Sequence, residues 1–115
     1  MSTIYLVIIL IHAGIHLMGF LKSMQIVDFE TIETDIPAFI GWLWLVAAFL
    51  FLTYAFAWYF GMSWEWQIGA IAVILSQFLI LRNWKDAKFG TIPNVIIGVA
   101  VWELYSMSKI EDFFM

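Results

Sequence analysis

The sequence predicts an all-α fold, an integral membrane four-helix bundle, and three observations predict it. Hydrophobic residues make up 64% of the 115 residues and charged residues only 12%, where soluble domains carry about 25% charged residues. A chain this short has too little interior to hide so much apolar surface from water, so its solvent is expected to be lipid. The apolar residues also run continuously instead of alternating. With no water in a bilayer to satisfy the backbone, continuous runs mean helices and not barrel strands. The runs fall at about 3–21, 37–60, 66–89 and 92–107, four spans within a single transmembrane domain, 1–115.

The first run is long enough to span, at about 1.5 Å per residue, and Tyr5 marks one interface. It has neither a basic start nor a small-residue cleavage site, so no cleavable leader is expected. Residues 22–36 form the only sizeable polar connection. Acids there (Asp28, Glu30, Glu33, Asp35) interleave with Ile26, Val27, Phe29 and Ile32, which fits a segment lying on the membrane surface or a solvated loop. Pro37 suits the first turn of the second helix, where its missing N–H costs nothing. Trp42 and Trp44 near one end, with Trp58 and Tyr59 near the other, follow the aromatic-belt pattern. Residues 61–65 read as a tight turn with another interfacial tryptophan, Trp64. The third helix is expected to continue through Arg82, Lys85 and Lys88 into the headgroups and to end on a Gly90 cap. Thr91 then caps the fourth helix, with Pro93 in its first turn, and the tail from Ser108 frays or lies on the surface.

The net charge of -4 argues against a nucleic-acid partner, and the lack of cysteine excludes disulfides, thiolate metal sites and iron–sulfur clusters. Orientation follows from lysine and arginine. Lys22, Arg82, Lys85 and Lys88 fall on the side of the first and third connections and Lys109 alone on the other, which places both termini outside the cytoplasm.

The most informative stretch is His12-Ala13-Gly14-Ile15-His16. The two histidines are four apart and stack on one helical face; Gly19 shares that face and would let another backbone approach. Ionisable rings inside a span are a functional expectation by default. Counting rise from the helix ends puts His12 about 13 Å from the N-terminal side, Glu103 roughly 6–11 Å, Thr53 and Tyr54 about 9–11 Å, and Gln77 roughly 16 Å, level with His16. Four helices thus offer polar groups to one band. Three readings are open. His12 and His16 with Glu103 make a three-ligand metal site with an open position, or one histidine is an axial haem ligand. The same residues, with Tyr54, Thr53 and Gln77, form a hydrogen-bonded or proton-handling network. Or they line a pocket for a small molecule or lipid, with Trp102 at its edge. A separate stretch, 83–94, is expected at the interface and has two readings: a capped helix end with Lys85 and Lys88 as positive anchors, or a site where Lys85, Lys88 and Asn94 meet an anionic headgroup or phosphate.

Two motifs, His12-Ala13-Gly14-Ile15-His16-Leu17-Met18-Gly19-Phe20 with Lys22, and Trp84-Lys85-Asp86-Ala87-Lys88-Phe89-Gly90-Thr91 with Asn94, resemble an uncharacterised family of small bacterial four-helix membrane proteins. That unit also resembles the N-terminal membrane part of some longer bacterial proteins and, more loosely, the DoxX-like membrane proteins, some of which are associated with quinone or respiratory chemistry. His12-Ala13 stands where the family often has His-Gly. The resemblance implies only that the two motifs belong together; it implies no activity, and the expected location is a bacterial inner membrane. Expected partners are the lipid bilayer, a small-molecule or lipid ligand and, for so small a bundle, a second copy of itself. The function classes that remain are a binding protein for a cofactor, metal or ligand, a proton-coupled small transporter similar in plan to the small multidrug exporters, and a scaffold subunit; whether the chain is an enzyme is left open.

Overall fold

A computed structural model describes residues 2–24 and 36–114. It is helical throughout, with four long helices and no strand among the described residues: α1 (Ser2–Ser23), α2 (Ala38–Tyr59), α3 (Glu65–Arg82) and, after a one-turn α4 (Trp84–Ala87) and a 3-10 turn at Lys88–Gly90, α5 (Thr91–Phe114). The expected surface segment lies almost wholly outside the described residues. Within the described residues, three helices, Thr3–Ser23, Ala38–Tyr59 and Glu65–Arg82, are long and apolar enough to cross a membrane. Their outward side chains, such as Ile4, Ile11, Phe49, Ile71 and Ile74, are as apolar as the inward ones. A helix apolar on all sides is one surrounded by apolar material.

α2 is the central element. It packs on α1 along one side and on α3 along the other, α5 packs on α3, and α1 meets α5 only sparingly. The bundle is therefore an arc whose closing seam, between α1 and α5, is thin. The close approaches use small residues, as helices without a hydrophobic driving force require. Ala47, Ala48, Ala55 and Ala57 of α2 and Ala72 of α3 are buried. At Gly69 a Cβ would stand 2.5 Å from Val101 Cγ2 and 2.7 Å from Tyr54 Cε1, so only glycine lets α2, α3 and α5 meet there. One core unites Ile9, Phe51, Tyr54, Ala72, Ile97 and Val101; a second, toward the other end, holds Ile36, Trp44, Ala47 and Leu79.

α2 ends in a Schellman closure. Gly61 takes φ +66°, Met62 N–H donates to Ala57 C=O at 2.8 Å and Gly61 N–H to Trp58 C=O at 3.3 Å, which satisfies carbonyls the helix end would leave open.

Several boundaries differ from those the sequence predicts. The third helix does not run to residue 89. It stops at Arg82 because Asn83 turns to φ −113°, ψ 41°, a conformation that suits a residue ill-fitted to helix interiors; the chain then folds back over the bundle end. Gly90 is not a left-handed cap, since Gly61 is the positive-φ glycine among the described residues. Its role is close packing, with the site of a Cβ 2.9 Å from Ile80 Cδ1 and 3.6 Å from His12 Cε1. Thr91 opens α5, and its hydroxyl oxygen accepts from Gln77 Nε2 at 3.2 Å. The last helix does not end at 107 but continues to Phe114. Gly19 faces an aromatic ring and not a backbone: its Cβ would meet Trp44 Cδ2 at 2.6 Å. Trp44 is accordingly not a belt residue but buried, while Trp42 is exposed.

Candidate ligand site

His12 and His16 are both buried, at 1% and 0% exposure. They sit one helical turn apart on the face of α1 that meets the rest of the bundle, rings edge to face with centroids 4.6 Å apart. α2 supplies their apolar wall: Phe51 stands 4.8 Å from His12 and 5.3 Å from His16, and Trp44 5.0 Å from His16. α3 and α5 supply the polar partners, Ser76 and Asn94, both buried.

The hydrogen bonds assign the protons. His16 Nδ1 lies 2.8 Å from the His12 carbonyl. A carbonyl only accepts, so Nδ1 of His16 carries the hydrogen. His16 Nε2, 2.7 Å from Ser76 Oγ, then accepts from the serine hydroxyl in the neutral ring. Asn94 Nδ2 donates to Ser76 Oγ and to Gln77 Oε1, each at 3.0 Å. That leaves Asn94 Oδ1 to accept from His12 Nε2 at 2.8 Å. His12 therefore carries a hydrogen on Nε2, with a secondary approach of 3.3 Å to Ser76 Oγ. Gln77 extends the chain to Thr91. Apart from His12 Nδ1, each polar atom of the two rings, the serine hydroxyl and the Asn94 amide has a partner, and satisfied members are what let a buried polar network stabilise. The network also closes the thin seam of the arc, since His12 and Asn94 bridge α1 and α5.

Beside the network is a cavity of about 300 Å³, walled by α1 (Ile15, Met18, Gly19), Trp44 of α2, Ile80 of α3 and the folded-back junction (Asn83, Ala87, Phe89, Gly90), with both histidines on its wall. It lies at the end of the bundle that carries Lys22, Arg82, Lys85 and Lys88. Three of its wall residues each hold a buried nitrogen with no hydrogen-bond partner in the protein: His12 Nδ1, Trp44 Nε1 and Asn83 Nδ2. Each such group costs roughly 1–3 kcal/mol when left unpaired, and native structures hold few of them. All three belong to residues that line the cavity, and each nitrogen is itself buried in the packing behind it.

The other expected site residues fall elsewhere. Glu103 is exposed and is not brought to the histidines. About 13 Å of helical rise separates it from Asn94, and its near neighbour Tyr105 stacks on Trp66 at the opposite end of α3, centroids 4.8 Å apart. The depth estimate failed because it took the fourth helix to stop at residue 107. Among the described residues no group of three or more His, Asp and Glu gathers as a metal site. Both nitrogens of His16 and Nε2 of His12 are already committed to hydrogen bonds, so the donors present do not fit a three-ligand metal centre. Tyr54 is buried but pairs its hydroxyl with Tyr5, in the other core. Thr53 is exposed and turns its hydroxyl back to the Phe49 carbonyl at 2.8 Å, a local bond within its own helix. Trp102 is 66% exposed and borders an outer groove with Trp66 and Tyr105, not the histidine cavity. Lys85 and Lys88 are exposed, with Lys88 Nζ over the Phe89 ring at 5.5 Å; Asn94, expected beside them at the headgroups, is instead the buried partner of His12.

Sequence reasoning missed Ser76, Asn83 and Trp44. A signal existed for the first two, since Ser76 and Ile80 of α3 and Asn83 just after it recur at helical spacing in the sequence, as His12, His16 and Gly19 do on α1.

Fold and site together define a helical protein with three helices able to cross a membrane and a neutral imidazole–amide–hydroxyl network against an apolar cavity. No protein-family model, curated protein or solved structure matches the chain.

Proposed function

We propose that the protein is a four-span integral membrane protein of the bacterial inner membrane, with both termini outside, that binds a small, largely apolar molecule in the cavity beside His12 and His16. On this reading the chain belongs with the small four-helix membrane proteins that its two motifs resemble, and those motifs are the two walls of one site: the first contributes the histidines and Gly19, the second Ala87, Phe89 and Gly90, with Asn94 behind the wall as the partner of His12. The observation that carries the reading is the cavity of about 300 Å³ itself, lined mostly by apolar side chains with His12, Trp44 and Asn83 among the residues of its wall. Binding sites are concave and mostly apolar, with a few placed polar groups that fix orientation, and the cavity fits that description.

A proton-coupled transporter has less support. The hydrogen bonds from His16 through Ser76 to His12 pass through the Asn94 amide, which does not relay a proton, and among the described residues no buried polar side chain is a carboxylate.

Native mass spectrometry of the protein extracted from its own membranes tests the binding reading. The wild type should carry a small-molecule adduct that Ala87→Trp, which fills the cavity, lacks. Equal spectra for the two proteins would refute it.

A further inference from the structure

The cavity's place in the bundle decides what reaches it, and this step rests on the binding reading above. Its walls lie close to the basic end. Gly19 is three residues from Lys22 on α1 and Ile80 two residues from Arg82 on α3, rises of about 3–5 Å. Ile15 of α1 and Phe89 of the junction line the cavity and are themselves exposed, so its wall runs out onto the surface of the bundle on both sides of the thin α1–α5 seam. The neighbours of that mouth, Ile11 and Ile92, are exposed and apolar, as a surface against the hydrocarbon of a bilayer must be.

Inside, the histidine nitrogens are buried behind the wall, and an occupant meets carbon: Ile15, Met18, Ile36, Ile80 and Pro93 give an aliphatic lining. About 300 Å³ holds roughly ten water-sized groups at about 30 Å³ each, which is room for one chain of about ten carbons and not for two full chains. A chain that leaves lipid for an apolar cavity gains little, because the two surroundings are alike. The head therefore decides which amphiphile stays. No Lys, Arg, Asp or Glu lines the cavity, but Lys88 Nζ lies over the Phe89 ring at 5.5 Å, which sets a cation against the wall at its mouth. Arg82, also exposed, directly precedes the wall residue Asn83. Asp86 is the one acid between residues 82 and 90, against Arg82, Lys85 and Lys88; the acids at 28–35 lie outside the described residues. Basic residues beside a membrane surface attract anionic heads.

We propose that the cavity binds a single-chain anionic amphiphile of the fatty-acid type, its chain between Ile15, Ile80 and Phe89 and its carboxylate beside Lys88 and Arg82.

The test uses the full chain in phosphatidylcholine nanodiscs at mildly alkaline pH, where a carboxylate is ionised, with carbon-13 in the methionine methyl groups. Met18 lines the cavity and reports binding; Met107, exposed on α5, reports unspecific entry into the bilayer. Four probes share one heavy-atom number: undecanoate, dodecanol, dodecylammonium and adamantane-1-carboxylate. Undecanoate should shift Met18 saturably and leave Met107 in place. Per molecule in the membrane it should bind at least about fivefold more tightly than dodecanol or dodecylammonium, the effect of one basic residue at a membrane surface. Lys88→Gln should weaken undecanoate by about fivefold and leave dodecanol unchanged, and Ala87→Trp should abolish the Met18 shift. If Ala87→Trp fails to fold, the exposed Lys88→Gln and the probe series on the wild type still decide. Dodecanol or dodecylammonium that equals undecanoate at Met18 overturns the anionic head with the binding reading intact. Adamantane-1-carboxylate that equals it overturns the chain. Nanodiscs containing phosphatidylglycerol that reproduce the Met18 shift without any probe assign the site to a two-chain lipid and overturn the single chain. If no probe moves Met18 more than Met107, the inference falls, and the native mass spectra decide the binding reading separately.

Discussion

Replacing Asn94 by leucine, similar in size and without polar atoms, removes the hub of the buried network. Asn94 makes three hydrogen bonds, accepting from His12 at 2.8 Å and donating to Ser76 and Gln77 at 3.0 Å each. In water-soluble proteins each would be worth about 1 kcal/mol net, but side-chain hydrogen bonds between membrane helices average nearer about 0.6 kcal/mol, because the helices find other partners when separated. On the membrane value the bonds sum to about 2 kcal/mol. Part of the orphaning of His12 Nε2 is relieved by Ser76 Oγ, already 3.3 Å away, so no large further penalty is added. We predict that Asn94→Leu lowers stability by about 2 kcal/mol in equilibrium unfolding of the purified protein in mixed micelles. Thr53→Val, whose hydroxyl bonds only within its own helix and faces outward, should cost under about 0.5 kcal/mol. In a double-mutant cycle with Ser76→Ala, Asn94→Leu should show coupling of at least about 0.5 kcal/mol. An Asn94→Leu protein as stable as Thr53→Val, or one with additive behaviour toward Ser76→Ala, would refute a cooperative network at the α1–α5 seam.

The remaining predictions concern packing, protonation and topology. Gly19→Leu should destabilise the bundle by about 1–3 kcal/mol, the usual cost of overpacking, because its Cβ would meet the Trp44 ring at 2.6 Å. Gly14→Ala, with nothing within 4 Å of the new Cβ, should melt at or above the wild-type temperature; the reverse ranking would contradict the α1–α2 packing. Nitrogen-15 NMR should find His16 protonated at Nδ1 and His12 at Nε2, and Glu103→Gln should leave both ring signals in place, since Glu103 is exposed and far along α5. A shift of either ring in that variant would restore the carboxylate to the site. In intact cells, Lys88→Cys should resist a membrane-impermeant thiol reagent that labels Ser2→Cys; labelling of Lys88→Cys from outside would reverse the proposed orientation.

Much of the protein was legible in the chain itself, for definite physical reasons. Hydropathy over a window of membrane length is a one-dimensional property, so an all-α protein with apolar helices at about 3–21, 37–60 and from about 66 was readable without any contact being known, while the end of the third at Arg82 instead of 89 was not. The pairing of His12 with His16 was likewise local: a spacing of four on a helix puts two side chains on one face whatever surrounds them. What those histidines meet is not local. Asn94 lies 82 residues from His12 and Ser76 60 from His16, and only the arc of helices decides that these residues and not Glu103 reach the rings. The bend at Asn83 and the continuation of α5 to Phe114 slid the last helix along its axis relative to the sequence estimate. That slide took Glu103 out of the histidine layer and brought Asn94 into it. The cavity with its three orphaned nitrogens is a property of the assembled walls alone, because an unpaired donor or acceptor is defined by what every neighbouring helix fails to supply.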